Sequence, residues 1–181
     1  MADKPARDVN VNAVPQNLEA EQCLLGCILL DDNLAQELVP TLKAEDFYAP
    51  SHRILLSAMQ KVLNESKPID FVTVADALDR SGQLAAAGGI NYLTTLNTVV
   101  PSSANYRVYL KIVERNSVLR ALIRAGTSII EECRNSDDEE RSVAFAEKAV
   151  YDISDKKQSG DLTPVGESTG EVLTIFDELY K

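Results

Sequence analysis

The fold is decided by residues 102–135, SSANYRVYLKIVERNSVLRALIRAGTSIIEECRN, which contain no proline and one glycine, Gly126. Apolar side chains recur along this stretch at the spacing of a helical face. They are Leu119, Leu122, Ile123, Ile129, Ile130 and Cys133. The pattern predicts one long amphipathic helix.

A second amphipathic pattern follows the acidic residues 137–140 and carries Val143, Ala146, Val150 and Ile153. Two such helices joined by a short turn form an αα-hairpin. The hairpin exposes apolar surface unless the preceding helices or another copy of the chain covers it. The side chains that we expect to take part in self-association are Leu119, Leu122, Ile130, Val143, Val150 and Ile153.

Upstream of the hairpin, residues 15–101 carry shorter helical patterns separated by turn signals. Asn17 is the predicted cap of a first helix that runs to about residue 30, and Asp70 is the predicted cap of a fourth. A third helix opens at Pro50. Its predicted core face is Ile54, Leu55, Ala58, Met59, Val62 and Leu63.

No segment alternates convincingly between polar and apolar residues, as a strand would. We therefore predict an all-α fold, in which a compact helical bundle at 15–101 is followed by a long hairpin at 102–157 and a C-terminal linker helix. Residues 1–14 are predicted to be a flexible arm, and residues 158–181 a hinge and that linker helix.

The C-terminal segment contains Gly166-Glu167-Ser168-Thr169-Gly170, which matches the G-x-S-x-G motif of serine hydrolases. No strand-like run precedes it, and the one histidine of the chain, His52, lies far upstream, so we reject a catalytic Ser168. A flexible hinge explains Gly160, Gly166 and Gly170 better than a catalytic turn does. The apolar stripe of the following helix predicts docking through Val172, Phe176 and Leu179.

The net charge of −10 disfavours strong non-specific binding to nucleic acid. Arg115, Arg120 and Arg124 form a local basic cluster, which we interpret as a solvated helix face. No apolar run approaches the roughly 20 residues that span a bilayer. We expect a soluble, cytoplasmic protein without membrane contact.

Candidate catalytic and metal-binding residues are few. Cys23 and Cys27 are spaced by one helical turn, but two sulfurs fall short of a zinc site, so we expect core cysteines. His52 has no neighbouring base or metal-ligand cluster in the sequence, which favours a structural hydrogen-bonding role. The chain is predicted to have no catalytic residues and no metal site.

Five segments together carry a resemblance to a known family. They are VPQNLEAEQCLLGCILLD (14–31), EDFYAPSHRILLSAM (45–59), PIDFVTVADAL (68–78), GGINYLTTL (88–96) and VPSSANYRVYLKIVERNSVLRALI (100–123). Their order and spacing resemble the N-terminal domain of bacterial replicative DNA helicases of the DnaB type. The resemblance covers about residues 14–157.

The resemblance implies a helical head, a hairpin used for dimerisation and a linker to a RecA-like ATPase domain. In the family, three dimers form a collar on a hexameric ring, the collar receives primase, and the linker helix docks on a neighbouring subunit. The partners implied are therefore further copies of the chain, primase and, as a further candidate, a helicase loader. Contact with DNA is implied only for the full-length ring.

The positions that match the family's primase contacts are Glu19, Glu21, Tyr92, Ile123 and Ile129. Each also has a structural interpretation: the glutamates complement a helix dipole, Tyr92 packs in the core, and the isoleucines lie inside the hairpin.

The chain departs from the family because no G-x-x-x-x-G-K-[ST] motif occurs in it. We therefore expect no cofactor and no enzymatic activity in this chain, while the parent protein would be a helicase using ATP and Mg²⁺. We expect the chain to be a truncated piece of such a helicase, and the alternative is a natural fragment. Two other functions stay open, a nucleic-acid-binding helical accessory module and a self-associating adaptor unrelated to replication.

Overall fold

The structure is a computed structural model that describes residues 14–159. Within that range the chain forms seven α-helices and no strand, which confirms the predicted all-α fold. Short 3-10 turns at Ala44–Asp46 and Ser103–Asn105 complete it. The helices are α1 (Leu18–Leu30), α2 (Asp32–Leu38), α3 (Pro50–Asn64), α4 (Phe71–Arg80), α5 (Gly89–Val99), α6 (Tyr106–Asn135) and α7 (Glu139–Ser159).

Side-chain caps set the starts of several helices. The Asn17 side chain accepts a hydrogen bond from the Ala20 N–H at 2.9 Å, and the Asp70 side chain accepts one from the Thr73 N–H at 2.8 Å. Each satisfies a backbone donor that the first helical turn leaves unpaired. Both predicted caps are confirmed.

The core of the head is built around α1, which contacts α2, α3 and α5. Residues 24–29 of this helix are all buried, as expected of a helix that is apolar on every side. Gly26 permits close packing on α5, because a Cβ there would lie 2.5 Å from the Leu96 carbonyl oxygen.

The predicted core face of α3 is confirmed. Leu55, Ala58, Met59 and Val62 are buried, and Ile54 and Leu63 are partly buried against the same core.

The contacts divide the chain into two compact units, one ending at Ile123 and the other beginning at Arg124. We call residues 14–123 the head and residues 124–159 the hairpin unit. The division differs from the predicted boundary after Pro101, because the first part of α6 is tied to the head. Ser117 donates to the Asp46 carboxylate at 2.8 Å, and Val113 is buried in the core.

Arg120 makes the strongest tie between α6 and the rest of the head. Its guanidinium donates to the carbonyl oxygens of Pro15 at 2.9 Å, Glu45 at 3.3 Å and Asp46 at 2.7 Å. Only 4% of the residue is exposed. The interpretation of this arginine as part of a solvated face is therefore wrong, since carbonyls distant in sequence surround it.

The hairpin unit consists of the second part of α6 and α7. The Asp138 side chain accepts a hydrogen bond from the Arg141 N–H at 3.1 Å, and Arg141 pairs with Glu132 on α6 at 3.2 Å. Glu139 and Glu140 begin α7 rather than lying in the connecting turn, where their charges suit the helix dipole.

No helix within residues 14–159 is both long enough and apolar enough to cross a membrane. Residues 1–13 and 160–181 lie outside the described residues, and with them the predicted docking residues Val172, Phe176 and Leu179.

Candidate functional site

A chain of hydrogen-bonded side chains runs through the head from α1 to α5. Glu21 lies in the first turn of α1, where its carboxylate accepts hydrogen bonds from the Tyr48 N–H at 2.7 Å and the Ala49 N–H at 3.3 Å. These two residues immediately precede α3, whose N-cap residue Ala49 offers no side-chain oxygen. A carboxylate from another helix therefore fixes the entry into α3.

His52 joins this carboxylate to Tyr92. Its Nδ1 lies 2.6 Å from Glu21 Oε2, and its Nε2 lies 2.6 Å from the Tyr92 hydroxyl oxygen. Glu21 and His52 are each only 1% exposed. We call Glu21, His52 and Tyr92 the buried relay. The sequence-based expectation that His52 is a structural hydrogen-bonding residue is confirmed.

The chemistry of the groups fixes the direction of the first hydrogen bond. An ionised carboxylate only accepts, so His52 Nδ1 carries a proton and donates to Glu21. The Tyr92 hydroxyl donates to Nε2 when the imidazole is neutral and accepts from it when the ring is protonated, and either state holds the two side chains together. The Tyr92 oxygen in turn accepts from Gln22 Nε2 at 3.1 Å.

The surroundings of Glu21 and Tyr92 shift the pKa of each group. Burial raises the pKa of Glu21, but the hydrogen bonds from His52 and from the two backbone N–H groups lower it by more, so its pKa lies below the usual value. Burial raises the pKa of Tyr92, and the negative charge of Glu21 adds to that increase. At neutral pH Glu21 is therefore ionised and Tyr92 keeps its proton.

A surface cavity of about 270 Å³ lies over one end of the relay. Its lining includes Leu18, Gln22, Ser51, His52, Gly88 and Tyr92. The exposed Leu18 side chain supplies apolar surface, while Tyr92 is half-buried. A pocket with apolar walls and a few fixed polar groups is typical of a binding site.

Gly88 lies directly against the Tyr92 side chain. It adopts a φ of +104°, in the left-handed region that favours glycine, and it forms the N-cap of α5. A Cβ at this position would lie 2.7 Å from Tyr92 Cδ1. Any larger residue would therefore displace the ring as well as strain the backbone.

The chemistry of this site favours binding over catalysis. Both ring nitrogens of His52 are engaged, so the imidazole offers no lone pair to a substrate in the cavity. Across residues 14–159 no three His, Cys, Asp or Glu side chains are grouped closely enough to hold a metal ion.

The residues predicted to contact primase fall in different environments. Glu19 is exposed on α1, Tyr92 is half-buried, Ile123 is exposed on α6, and Ile129 is half-buried. Glu21 is the exception, because its carboxylate faces inward and binds His52. The structure thus brings Glu21 and Tyr92 together through His52, and it leaves Glu21 without a surface for a partner.

The residues predicted for self-association lie on α6 and α7. Leu119, Leu122, Ile130, Val143 and Val150 are exposed, and Ile153 is half-buried. On α6 the exposed residues keep the spacing of a single helix face, which also includes Ile123. Within the described part of the chain, each of these five side chains is between 41% and 58% exposed.

The sequence signals did not identify Gln22, His52 or Gly88 as parts of the site. His52 is 31 positions from Glu21 and 40 from Tyr92, so local periodicity carries no information about these pairs. The glycine pair at 88–89 was the one usable signal, since it marked a turn beside Tyr92.

Comparison with known proteins gives the family. Residues 13–115 match the model of the DnaB-like helicase N-terminal domain. A curated relative, the replicative DNA helicase DnaB of Geobacillus stearothermophilus, is 40% identical over 147 residues, which cover 81% of this chain and 32% of the relative. The chain thus spans about a third of the length of the curated relatives that it matches.

Two solved structures share the fold. The N-terminal domain of DnaB helicase from Mycobacterium tuberculosis superposes with a TM-score of 0.72 at 36% identity, covering 78% of this chain and 99% of that one. A DnaB-like replicative helicase, solved in a study of its interactions with primase, has a TM-score of 0.68 at 24% identity, covering 91% of this chain and 35% of that one. The chain belongs to the family of DnaB-like helicase N-terminal domains.

Proposed function

We propose that this chain acts as the scaffolding domain of a replicative DNA helicase, in which it associates with further copies of itself and docks primase. The observation that carries the proposal is the exposed apolar face of the long helices. Ile130 is 54% exposed and Val143 is 58% exposed, although both belong to amphipathic patterns that normally face a partner.

Self-association is the simplest way to cover this face. A symmetric dimer pairs the same patch on two copies, so each copy supplies the apolar surface that the other needs. Leu119, Leu122, Ile130, Val143, Val150 and Ile153 are the residues we assign to this contact. In a full-length protein such dimers would combine up to a hexamer.

Primase docking is assigned to the cavity and to the neighbouring surface of the head. The cavity presents Tyr92, a residue type that is enriched at protein-binding hot spots, beside the exposed apolar side chain of Leu18. The DnaB-like helicase of similar fold, studied for its interactions with primase, supports this choice of partner. Glu19, Tyr92 and Ile123 of the head remain proposed contacts, as does Ile129 of the hairpin unit. Glu21 is left out because it is buried.

The other activities of a helicase belong to the parent protein in this proposal. ATP and Mg²⁺ would bind to its ATPase domain, DNA would be held by the assembled ring, and a helicase loader is a further candidate partner. The alternative of a nucleic-acid-binding module is weakened by the burial of Arg120, which removes one arginine from the basic cluster on α6.

Two measurements on the 181-residue chain test the proposal. Light scattering at micromolar concentration should give the mass of a dimer or a larger assembly. Calorimetric titration with a bacterial primase should give saturable binding that weakens with salt, because the chain is acidic. A strict monomer that fails to bind primase would overturn the proposal, and a titration with single-stranded DNA across salt concentrations would then test the nucleic-acid alternative.

A further inference from the structure

Tyr92 is held more firmly than a half-buried surface residue requires. Its hydroxyl oxygen contacts His52 Nε2 at 2.6 Å and Gln22 Nε2 at 3.1 Å. Its ring lies nearly parallel to the His52 ring, with an interplanar angle of 8° and a centroid distance of 6.0 Å. A Cβ at Gly88 would collide with the Tyr92 side chain, so the glycine is what leaves room for the ring. The side chain is therefore preorganised before any partner arrives.

The position of Tyr92 also depends on a buried charged residue, Glu21, which contacts His52. Glu21 is held in place by two backbone N–H groups, and in that position it fixes the orientation of the His52 ring. A carboxylate that fixes a histidine, which in turn fixes a third group, is a recurrent arrangement for holding a functional side chain. Here the third group is the Tyr92 hydroxyl at the surface cavity.

We infer that Glu21 and His52 are positioning residues that fix the Tyr92 side chain for partner docking. This inference rests on the proposed function, because it concerns the same docking surface. Glu21 acts on the partner through Tyr92 and does not touch the partner.

The first test is a calorimetric titration of primase into the full chain and its variants. Tyr92→Phe removes the hydroxyl oxygen and keeps the ring, and it should weaken binding roughly tenfold, because the ring loses its hydrogen bonds to His52 and Gln22. The Glu37→Gln variant, on the exposed surface of α2, is the control and should bind like the parent.

Two substitutions at His52 separate positioning from simple support of the fold. The His52→Gln side chain can place its amide where Nε2 lies, while the shorter His52→Asn side chain reaches only the Nδ1 position. Both put a polar amide into the same buried site. His52→Gln should keep binding within roughly threefold of the parent, and His52→Asn should lose roughly tenfold, because only the first reaches Tyr92. Equal binding by the two variants would overturn the inference.

A double-mutant cycle tests the route from Glu21 to the partner. If Glu21 acts through Tyr92, Glu21→Gln should weaken primase binding in the parent but change it by less than about twofold in the Tyr92→Phe background. Additive losses would mean that Glu21 contributes independently, and the inference would fail.

A measurement without primase tests the positioning of Tyr92 independently of the proposed docking function. NMR relaxation of the Tyr92 ring should report an ordered side chain in the parent and a mobile one in His52→Asn, with the head still folded. A ring that stays equally ordered in the variant would overturn the inference even if primase binds. If the parent fails to bind primase, the proposed docking function fails, and the ring measurement still decides the positioning role.

Discussion

The core helices of the head and the hairpin unit differ in how far they bury their apolar side chains. In the head, residues 24–29 of α1 are all buried, and α3 and α5 bury apolar side chains against this helix. In residues 124–154, by contrast, no side chain is buried, and Ile130 and Val143 are more than half exposed. Both regions show helical apolar periodicity in the sequence. The difference teaches that the head carries its own core, whereas the hairpin unit needs a second surface.

The largest expected effect compares one isoleucine from each region. Ile28→Ala removes a fully buried side chain and should lower the free energy of unfolding by about 2–5 kcal/mol. Ile130→Ala, at an exposed site, should change it by less than about 1 kcal/mol in dilute protein. Urea denaturation followed by circular dichroism measures both. Similar losses at the two sites would remove the basis of the comparison.

A second prediction concerns the point where α6 is tied to the head. Arg120→Met leaves three carbonyl oxygens without their charged donor and should cost about 2–4 kcal/mol of unfolding free energy. The matched change Arg115→Met, at an exposed position of the same helix, should stay within about 0.5 kcal/mol. If Arg120→Met is equally mild, the head ends before α6 and our boundary at residue 123 is misplaced.

Two glycines sharpen the contrast in packing. Gly26→Ala brings a methyl group against the Leu96 carbonyl and should destabilise the head by about 1–3 kcal/mol. Gly126→Ala meets no atom within 4 Å and should stabilise α6 by up to about 1 kcal/mol, because alanine favours a helix. Thermal unfolding in dilute protein should therefore show midpoints shifted in opposite directions, and shifts of the same sign would contradict the packing described here.

The smallest expected effect is a change in how steeply the unfolding free energy depends on pH. The folded-state pKa of Glu21 lies below the usual value of about 4.3, so its carboxylate stabilises the head above that pH. That stabilisation is lost as the pH falls through the folded-state pKa. Below about pH 4, unfolding free energy should fall more steeply in the parent than in Glu21→Gln. Parallel curves for the two proteins would show that Glu21 is not held by the relay.

Much of the fold follows from local signals. The sequence predicts the helix caps directly, because Asn17 and Asp70 each bind a backbone N–H only three residues further on. It also predicts the apolar face of α3, because those residues recur at helical spacing. The ordered α6 likewise follows from a stretch without proline. These features depend on near neighbours and on helical periodicity, which a single sequence displays.

The features that sequence reasoning missed depend on partners far along the chain. Arg120 binds carbonyls at positions up to 105 residues away, so its helical spacing wrongly indicated a solvated face. Glu21 sits in a first helical turn where acids are common, and nothing local distinguishes it from the exposed Glu19. The boundary after Ile123 falls inside one continuous helix, where no turn signal marks it.

The central claim is that helices α1 to α5 of the head form a complete core, while the exposed apolar residues of α6 and of the hairpin unit rely on a second copy. Hydrogen exchange of the parent chain at two protein concentrations, one below and one above the association midpoint, tests it most directly. We predict that amides in residues 124–154 gain protection as concentration rises, while amides of α1 and α3 keep the same protection throughout. Equal protection of the hairpin unit at both concentrations, with light scattering showing a change from monomer to dimer, would contradict the claim.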